Sequence, residues 1–151
     1  PLIFPKVYAH HPDFNWIVID KVEVITDSSV PLMESLKASF PEMIDYIFDM
    51  YSFPQTVLSY DNALELMLMA ATTGTEDESY RPTGRRFRKD YQEGTAEKIF
   101  DFGIRNSEVF RELHKAINKY KIQISDIRGG NIGRTSDGRF VIIDASVWES
   151  D

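Results

Sequence analysis

Residues 126–144 read DIRGGNIGRTSDGRFVIID, and this stretch decides how the last part of the chain folds. Its two halves, residues 132–136 and 139–143, are rich in strand-forming residues. Between them, Asp137-Gly138 is a strong signal for a two-residue turn, because both positions tolerate the left-handed backbone that such turns require. The stretch therefore predicts a β-hairpin centred on Asp137-Gly138.

Oxygen-bearing side chains flank the predicted hairpin. With the turn centred on Asp137-Gly138, Asn131 lies directly across from Asp144. Cross-strand partners point to one face with Cβ atoms about 5 Å apart, so this amide and carboxylate suit a hard cation such as Mg²⁺. The preceding Gly129-Gly130 pair allows a tight turn and a close approach to a ligand. The alternative is an ordinary surface hairpin with a polar foot.

The composition is that of a globular protein: 151 residues, of which 42% are hydrophobic and 27% are charged. A net charge of -7 argues against a general nucleic-acid or acidic-membrane binder, since these partners require local positive charge. The absence of cysteine excludes disulfides and thiolate metal sites and favours a reducing, cytoplasmic setting. No apolar stretch approaches the roughly 20 residues of a membrane helix. We expect one domain, residues 1–151.

Two strands are predicted near the start of the chain. Residues 5–9 form a short strand, and a polar turn around Pro12 follows it. Residues 15–22 are rich in β-branched side chains and almost continuously apolar, which predicts a strand buried on both faces. The two strands are expected to pair in antiparallel orientation.

The rest of the chain has helical spacing up to the hairpin, so the predicted class is α+β. Ser29 is a predicted N-cap, and Pro41 is expected to begin a second helix. Asp61 is predicted to cap a third, central helix over residues 63–71. Two more helices are predicted at residues 96–102 and 107–120.

Residues 72–90 are predicted to be irregular. An acidic run at residues 76–78 is followed by five basic residues at positions 81–89. A solvated loop and a loop that faces a phosphate or a partner are both consistent with this pattern.

The order of these elements resembles the protein-kinase-like superfamily in its compact phage and bacterial form, from the middle of the small lobe to the metal-binding Asp. The motif that carries the resemblance is D-x-x-x-x-N followed by a hairpin that ends in Asp, here Asp126, Asn131 and Asp144. The resemblance implies a kinase-like core: residues 1–25 are a remnant of the small lobe with its hinge, and residues 26–151 are a helical lobe with the catalytic loop.

The resemblance also implies roles for single residues, with ATP and Mg²⁺ as cofactors. Asn131 and Asp144 match the metal-binding residues. Asp126 matches the catalytic Asp that orients the acceptor hydroxyl, and Arg128 is placed to neutralise charge on the transferred group.

The adenine end of the implied nucleotide site involves two other segments. Ile19, Asp20 and Val22 belong to a stretch that resembles the hinge, which binds adenine through backbone groups. Gly133 and Ile143, on the hairpin, are expected on the other side of the ring.

The chain also departs from the family pattern. Ile124-Ser125 replaces the His-Arg that precedes the catalytic Asp, and Asp144-Ala145-Ser146 replaces D-F-G. A Gly-rich loop and a strand lysine are missing upstream, and the seven residues after Asp144 leave no room for an activation segment. A literal D-F-G at residues 101–103 precedes the catalytic loop and is expected at a helix end, so it is a coincidence.

Two functions are consistent with this sequence. The first is an ATP- and Mg²⁺-dependent phosphotransferase, a fragmentary or minimal kinase that acts on a protein substrate. The second is a catalytically inactive kinase-like module that binds a host or partner protein, with residues 81–89 as its candidate surface. Nucleic-acid binding by the same basic residues is disfavoured by the net acidity.

Overall fold

The structure is a computed structural model that describes residues 3–13, 15–26, 29–73 and 94–143. Within these ranges it is an α+β fold of five α-helices and two small antiparallel sheets. The strands are β1 (Val7–His10), β2 (Ile17–Ile19), β3 (Val22–Val24), β4 (Ile132–Thr135) and β5 (Phe140–Ile142). The helices are α1 (Val30–Ser39), α2 (Pro41–Tyr51), α3 (Val57–Ala71), α4 (Thr95–Asn106) and α5 (Glu108–Tyr120). A 3₁₀ turn, Ile124–Asp126, joins α5 to the hairpin.

Strands β1 and β2 form a two-stranded antiparallel ribbon, which confirms the predicted pair. The prediction of one strand over residues 15–22, buried on both faces, was wrong. The strand ends at Ile19, and the chain then enters the other sheet as β3. Val18 and Ile19 are 50% and 40% exposed. The strand is interrupted at the polar Asp20. Here the side-chain carboxylate of Asp20, and not a backbone carbonyl, accepts the hydrogen bond from the Lys6 N–H.

The second sheet has the strand order β3-β4-β5, and its hairpin differs from the predicted one by one residue. Ile132 pairs with Ile142, and the Ile143 N–H donates to the Asn131 carbonyl at 2.8 Å. Asn131 therefore lies across from Ile143, and the prediction that it lies across from Asp144 was wrong.

The shift in register has a local cause at the tip of the hairpin. The Gly138 N–H donates to the Thr135 carbonyl at 2.9 Å, and Gly138 has a φ of 87°. The Thr135 N–H donates to the Arg139 carbonyl at 2.9 Å, and the Thr135 hydroxyl accepts from the Arg139 N–H at 3.0 Å. These bonds close a three-residue loop of a type I turn with a left-handed glycine, instead of a two-residue turn.

Helix boundaries follow local capping signals. The Ser29 hydroxyl accepts from the Leu32 N–H, and Pro41 begins α2, as predicted. Ser107 separates α4 from α5 and accepts from the Phe110 N–H at 3.1 Å. The prediction that Asp61 caps the third helix was wrong, because the hydroxyl of Thr56 accepts from the Ser59 N–H and α3 begins at Val57.

Helix α3 is central, as its sequence predicted, and it packs against α1 and α4. The buried core extends from this helix to the inner face of the three-stranded sheet, where Ile25, Ile132 and Ile142 are buried. The D-F-G at residues 101–103 lies inside α4. Its Gly103 allows Phe110 to pack closely, since a Cβ there would lie 2.4 Å from the Phe110 ring. No helix among the described residues is both long and apolar enough to cross a membrane.

Candidate functional site

The loop between α5 and β4 is held by a continuous set of backbone hydrogen bonds. The Arg128 N–H donates to the Asp126 carbonyl at 3.0 Å, and the Asn131 N–H donates to the Arg128 carbonyl at 2.9 Å. Gly130, with a φ of 91°, donates its N–H to the Ile25 carbonyl at 3.1 Å, which ties the loop to the end of β3. Buried Ile127 anchors the loop in the core. The loop is thus a defined turn that joins Asp126 to Asn131.

The Asn131 side chain has a fixed orientation. Its Nδ2 donates to the Asp126 carbonyl oxygen at 2.9 Å. Because this bond uses the NH₂ group, the Oδ1 of the carboxamide is directed to the other side and remains an acceptor. A neutral oxygen of this kind is a suitable ligand for Mg²⁺.

The structure places the other predicted catalytic and metal residues as follows. Asp126 ends the 3₁₀ turn with a half-buried side chain, and Arg128 is exposed two residues later. Asp144 lies outside the described residues, as do the basic residues 81–89. Within the described ranges, no group of three or more His, Cys, Asp or Glu side chains could hold a metal ion. Of the predicted metal pair, the structure thus describes Asn131 alone.

The outer face of the three-stranded sheet carries several apolar residues, although an antiparallel sheet usually presents polar residues on its solvent side. Cross-strand register and alternation place Val24, Gly133 and Val141 in one row, with Asn131 and Ile143 in the next row on the same face. Val24 is 54% exposed and Ile143 is 39% exposed, whereas Val141 is fully buried. The Asn131 amide thus lies at the rim of an exposed apolar surface.

Gly133 lies in the middle of this face and has side chains closely packed over it. A Cβ at this position would lie 2.1 Å from Val22 Cγ1 and 2.7 Å from Ile143 Cδ1. Three of the five residues predicted to contact adenine, Val22, Gly133 and Ile143, are therefore brought together. The missing side chain at Gly133 lets the other two side chains approach each other and form a continuous apolar surface.

The remaining two residues of that set are in a different environment. Ile19 ends β2 in the ribbon. The Asp20 carboxylate accepts from the Lys6 N–H at 2.7 Å, from the Tyr8 hydroxyl at 2.6 Å and from the Arg139 guanidinium at 2.7 Å. The bonds from Tyr8 and Lys6 hold the pKa of Asp20 below its ordinary value, and the bond to Asp20 raises the pKa of Tyr8. The Asp20 side chain thus joins the ribbon to the hairpin.

This cluster around Asp20 was missed by sequence reasoning. Its partners are separated in sequence by 14, 12 and 119 residues, so no local spacing signals it. The one available signal was an acidic residue inside an otherwise apolar run, which requires a partner if it is shielded from water.

Comparisons of this chain with models of known protein families, with curated protein sequences and with solved structures gave no match.

Proposed function

We propose that this chain is an ATP- and Mg²⁺-dependent phosphotransferase of the kinase-like type. One observation carries the proposal: the Asn131 carboxamide is fixed by the Asp126 carbonyl at the rim of an exposed apolar sheet face. A nucleotide requires both features, an apolar surface for the base and oxygen ligands for the cation that accompanies its phosphates.

The apolar face is the proposed binding surface for the adenine ring. Val24 and Ile143 offer exposed aliphatic side chains. The Val22 side chain packs beside Gly133 on the same face. The burial of apolar area contributes roughly 25 cal/mol per Å². The family resemblance implies polar contacts from the backbone of Ile19 and Asp20 at the edge of the ring. Since the Asp20 N–H donates to the Lys6 carbonyl at 2.9 Å, the carbonyl groups of these residues are the proposed contacts.

The phosphate end of the site is the proposed reaction centre. Asn131 and Asp144 are the proposed Mg²⁺ ligands, and the cation, when bound, neutralises phosphate charge. The Asp126 carboxylate receives the proton of the acceptor hydroxyl. The acceptor oxygen forms a bond to the γ-phosphorus while the bond to the departing ADP oxygen breaks. Arg128, which is exposed in the loop, is the proposed residue that stabilises the negative charge of the transferred group.

The alternative is a kinase-like module that binds a partner protein without catalysis. Its candidate surface, residues 81–89, lies outside the described residues. The two proposals differ in one measurable property, since only the enzyme transfers phosphate, and Asp126→Asn separates transfer from nucleotide binding.

Isothermal titration calorimetry with ATP, with and without Mg²⁺, tests the binding step. We expect Mg²⁺-dependent binding to the native chain and no Mg²⁺ dependence in Asn131→Ala. Val24→Lys is expected to weaken binding by at least about tenfold, because a charge replaces part of the base surface. Val18→Lys is the matched control, since Val18 is similarly exposed at 50% but lies in the other sheet.

The transfer step is tested by following γ-phosphate from labelled ATP onto a general protein substrate. Asp126→Asn is expected to bind ATP with unchanged affinity and to lose transfer. Nucleotide binding without transfer in the native chain would favour the inactive module. Absence of ATP binding at millimolar concentration, or equal effects of Val24→Lys and Val18→Lys, would refute the proposed site.

A further inference from the structure

A second surface is the groove between residues 4–7 and the outer side of α5. The groove encloses about 1060 Å³. This volume is slightly above the range of ordinary small-molecule pockets, which is about 300 to 1,000 Å³. Its apolar lining includes Val7 and Tyr120, which are 54% and 47% exposed. The groove is therefore large, open and partly apolar, as a peptide-binding surface is.

Basic side chains from three separate segments converge on this groove. Lys6 comes from the N-terminal segment, Lys115 and Lys119 come from α5, and Arg139 comes from the hairpin. The ammonium groups of Lys6 and Lys119 lie 5.1 Å and 5.3 Å from the ring centres of Tyr8 and Tyr120. The chain has a net charge of -7, whereas basic side chains outnumber acidic ones in the lining of this groove.

The two acidic residues of the groove, Glu108 and Glu112, lie near the start of α5. Acidic residues at the start of a helix and lysines at its end complement the helix dipole, so α5 alone could explain this order without a ligand. Arg139 is already paired with the Asp20 carboxylate, but neither that pair nor the dipole explains Lys6, which reaches the same groove from the N-terminal segment. The basic end of the groove is therefore a property of the tertiary fold.

The backbone beside the groove favours an extended ligand. The Lys6 N–H and carbonyl both bond to Asp20, at 2.7 Å and 2.9 Å. Because backbone groups alternate in direction along a strand, those of Val7 are directed away from β2. No described strand lies on that outer side of β1. The groove includes Val7, the first residue of β1, so an extended segment in the groove can form main-chain hydrogen bonds at the start of this strand edge.

From these observations we infer that the groove between residues 4–7 and α5 binds an extended, acidic peptide segment of a partner protein. Its carboxylates contact Lys6, Lys115 and Lys119, its apolar residues pack on Val7 and Tyr120, and its backbone pairs with β1. This inference does not rest on nucleotide binding.

The probe is a fluorescein-labelled octapeptide in which glutamate alternates with valine, and its binding is followed by fluorescence anisotropy at about 50 mM salt, where charge pairs are weakly screened. We expect saturable binding of this peptide and no binding of its lysine-valine counterpart. The double substitution Lys115→Glu and Lys119→Glu is expected to weaken binding by at least about tenfold. Lys37→Glu with Lys98→Glu changes the net charge equally at other exposed positions and should alter affinity less than about twofold.

A modified probe tests the extended pairing without altering the protein. N-methylation of alternate residues removes donors from one edge of the peptide, so one methylation register should abolish binding and the other should not. Equal binding of both registers would overturn strand addition. Equal losses in the two double variants would overturn the groove as the binding surface. A dimer in sedimentation velocity that dissociates in the Lys115→Glu, Lys119→Glu variant would assign the surface to a second copy of this chain instead.

Discussion

A single added methyl group at Gly133 tests the packing that forms the candidate nucleotide face. A Cβ there would lie 2.1 Å from Val22 Cγ1, 2.7 Å from Ile143 Cδ1 and 3.0 Å from the Glu23 carbonyl oxygen. A methylene forced into a well-packed region costs roughly 1–3 kcal/mol. Because one of the three neighbours is a backbone atom, β3 must move together with the two side chains. We therefore expect Gly133→Ala to lower the free energy of unfolding by about 2 kcal/mol.

Urea unfolding followed by far-UV circular dichroism measures this loss. With a denaturant dependence of roughly 2 kcal/mol per molar urea, the midpoint should fall by about 1 M and the slope should stay unchanged. The melting temperature should fall by about 4–8 °C, since each kcal/mol corresponds to roughly 2–4 °C in a domain of this size.

Val22→Ala removes the methyl group nearest to the added one. The variant that combines Gly133→Ala with Val22→Ala should therefore be more stable than the two single losses predict, by about 1 kcal/mol of coupling. Gly130→Ala is the control: its φ is 91° and no neighbouring atom lies within 4 Å of an added Cβ, so its cost is backbone strain and Val22→Ala should not relieve it. An unchanged midpoint in Gly133→Ala, or equal relief of both alanine variants, would refute this packing argument.

Two further predictions concern the packing of α4 and the cluster that joins the sheets. Gly103→Ala should destabilise the chain by roughly 1–3 kcal/mol through overpacking against Phe110, and Phe110→Leu should recover part of that loss; an unaltered urea midpoint would contradict the close contact. The folded-state pKa of Asp20 is lowered, so its carboxylate stabilises the fold above its unfolded pKa of about 3.9, and this contribution is lost as the pH falls through the folded value. Thermal unfolding should accordingly show Asp20→Asn to be less stable than the native chain at about pH 6, with a difference that shrinks toward about pH 3, whereas a constant difference would exclude ionisation as its source.

Local signals in the sequence predicted much of the helical part. Ser29 and Pro41 act within one helical turn of their own positions, and the helices begin where these residues indicated. Asp61 failed as a cap because Thr56, five residues earlier, offers an equally suitable oxygen, and α3 is longer when it begins there. Spacing alone does not choose between two competing caps.

The register of the hairpin and the division of the strands depend on interactions that sequence patterns do not contain. An Asp-Gly step fits both a two-residue and a three-residue loop, and the Thr135 hydroxyl selects the longer one by its bond to the Arg139 N–H. In residues 15–22, the continuous apolar pattern did not show that the chain changes sheets at Asp20. Of the candidate site, the turn from Asp126 to Asn131 and the proximity of Val22, Gly133 and Ile143 are now described, and the metal role of Asp144 stays a prediction.

The convergence of three donors on Asp20 has a mechanical consequence for the ribbon. The carboxylate lies at the end of β2, beside the start of β1, and the Arg139 side chain ties it to the hairpin. A ribbon fastened near one end behaves as a lever: a small rotation about Asp20 moves the opposite end, where His10 pairs with Ile17, through the largest arc.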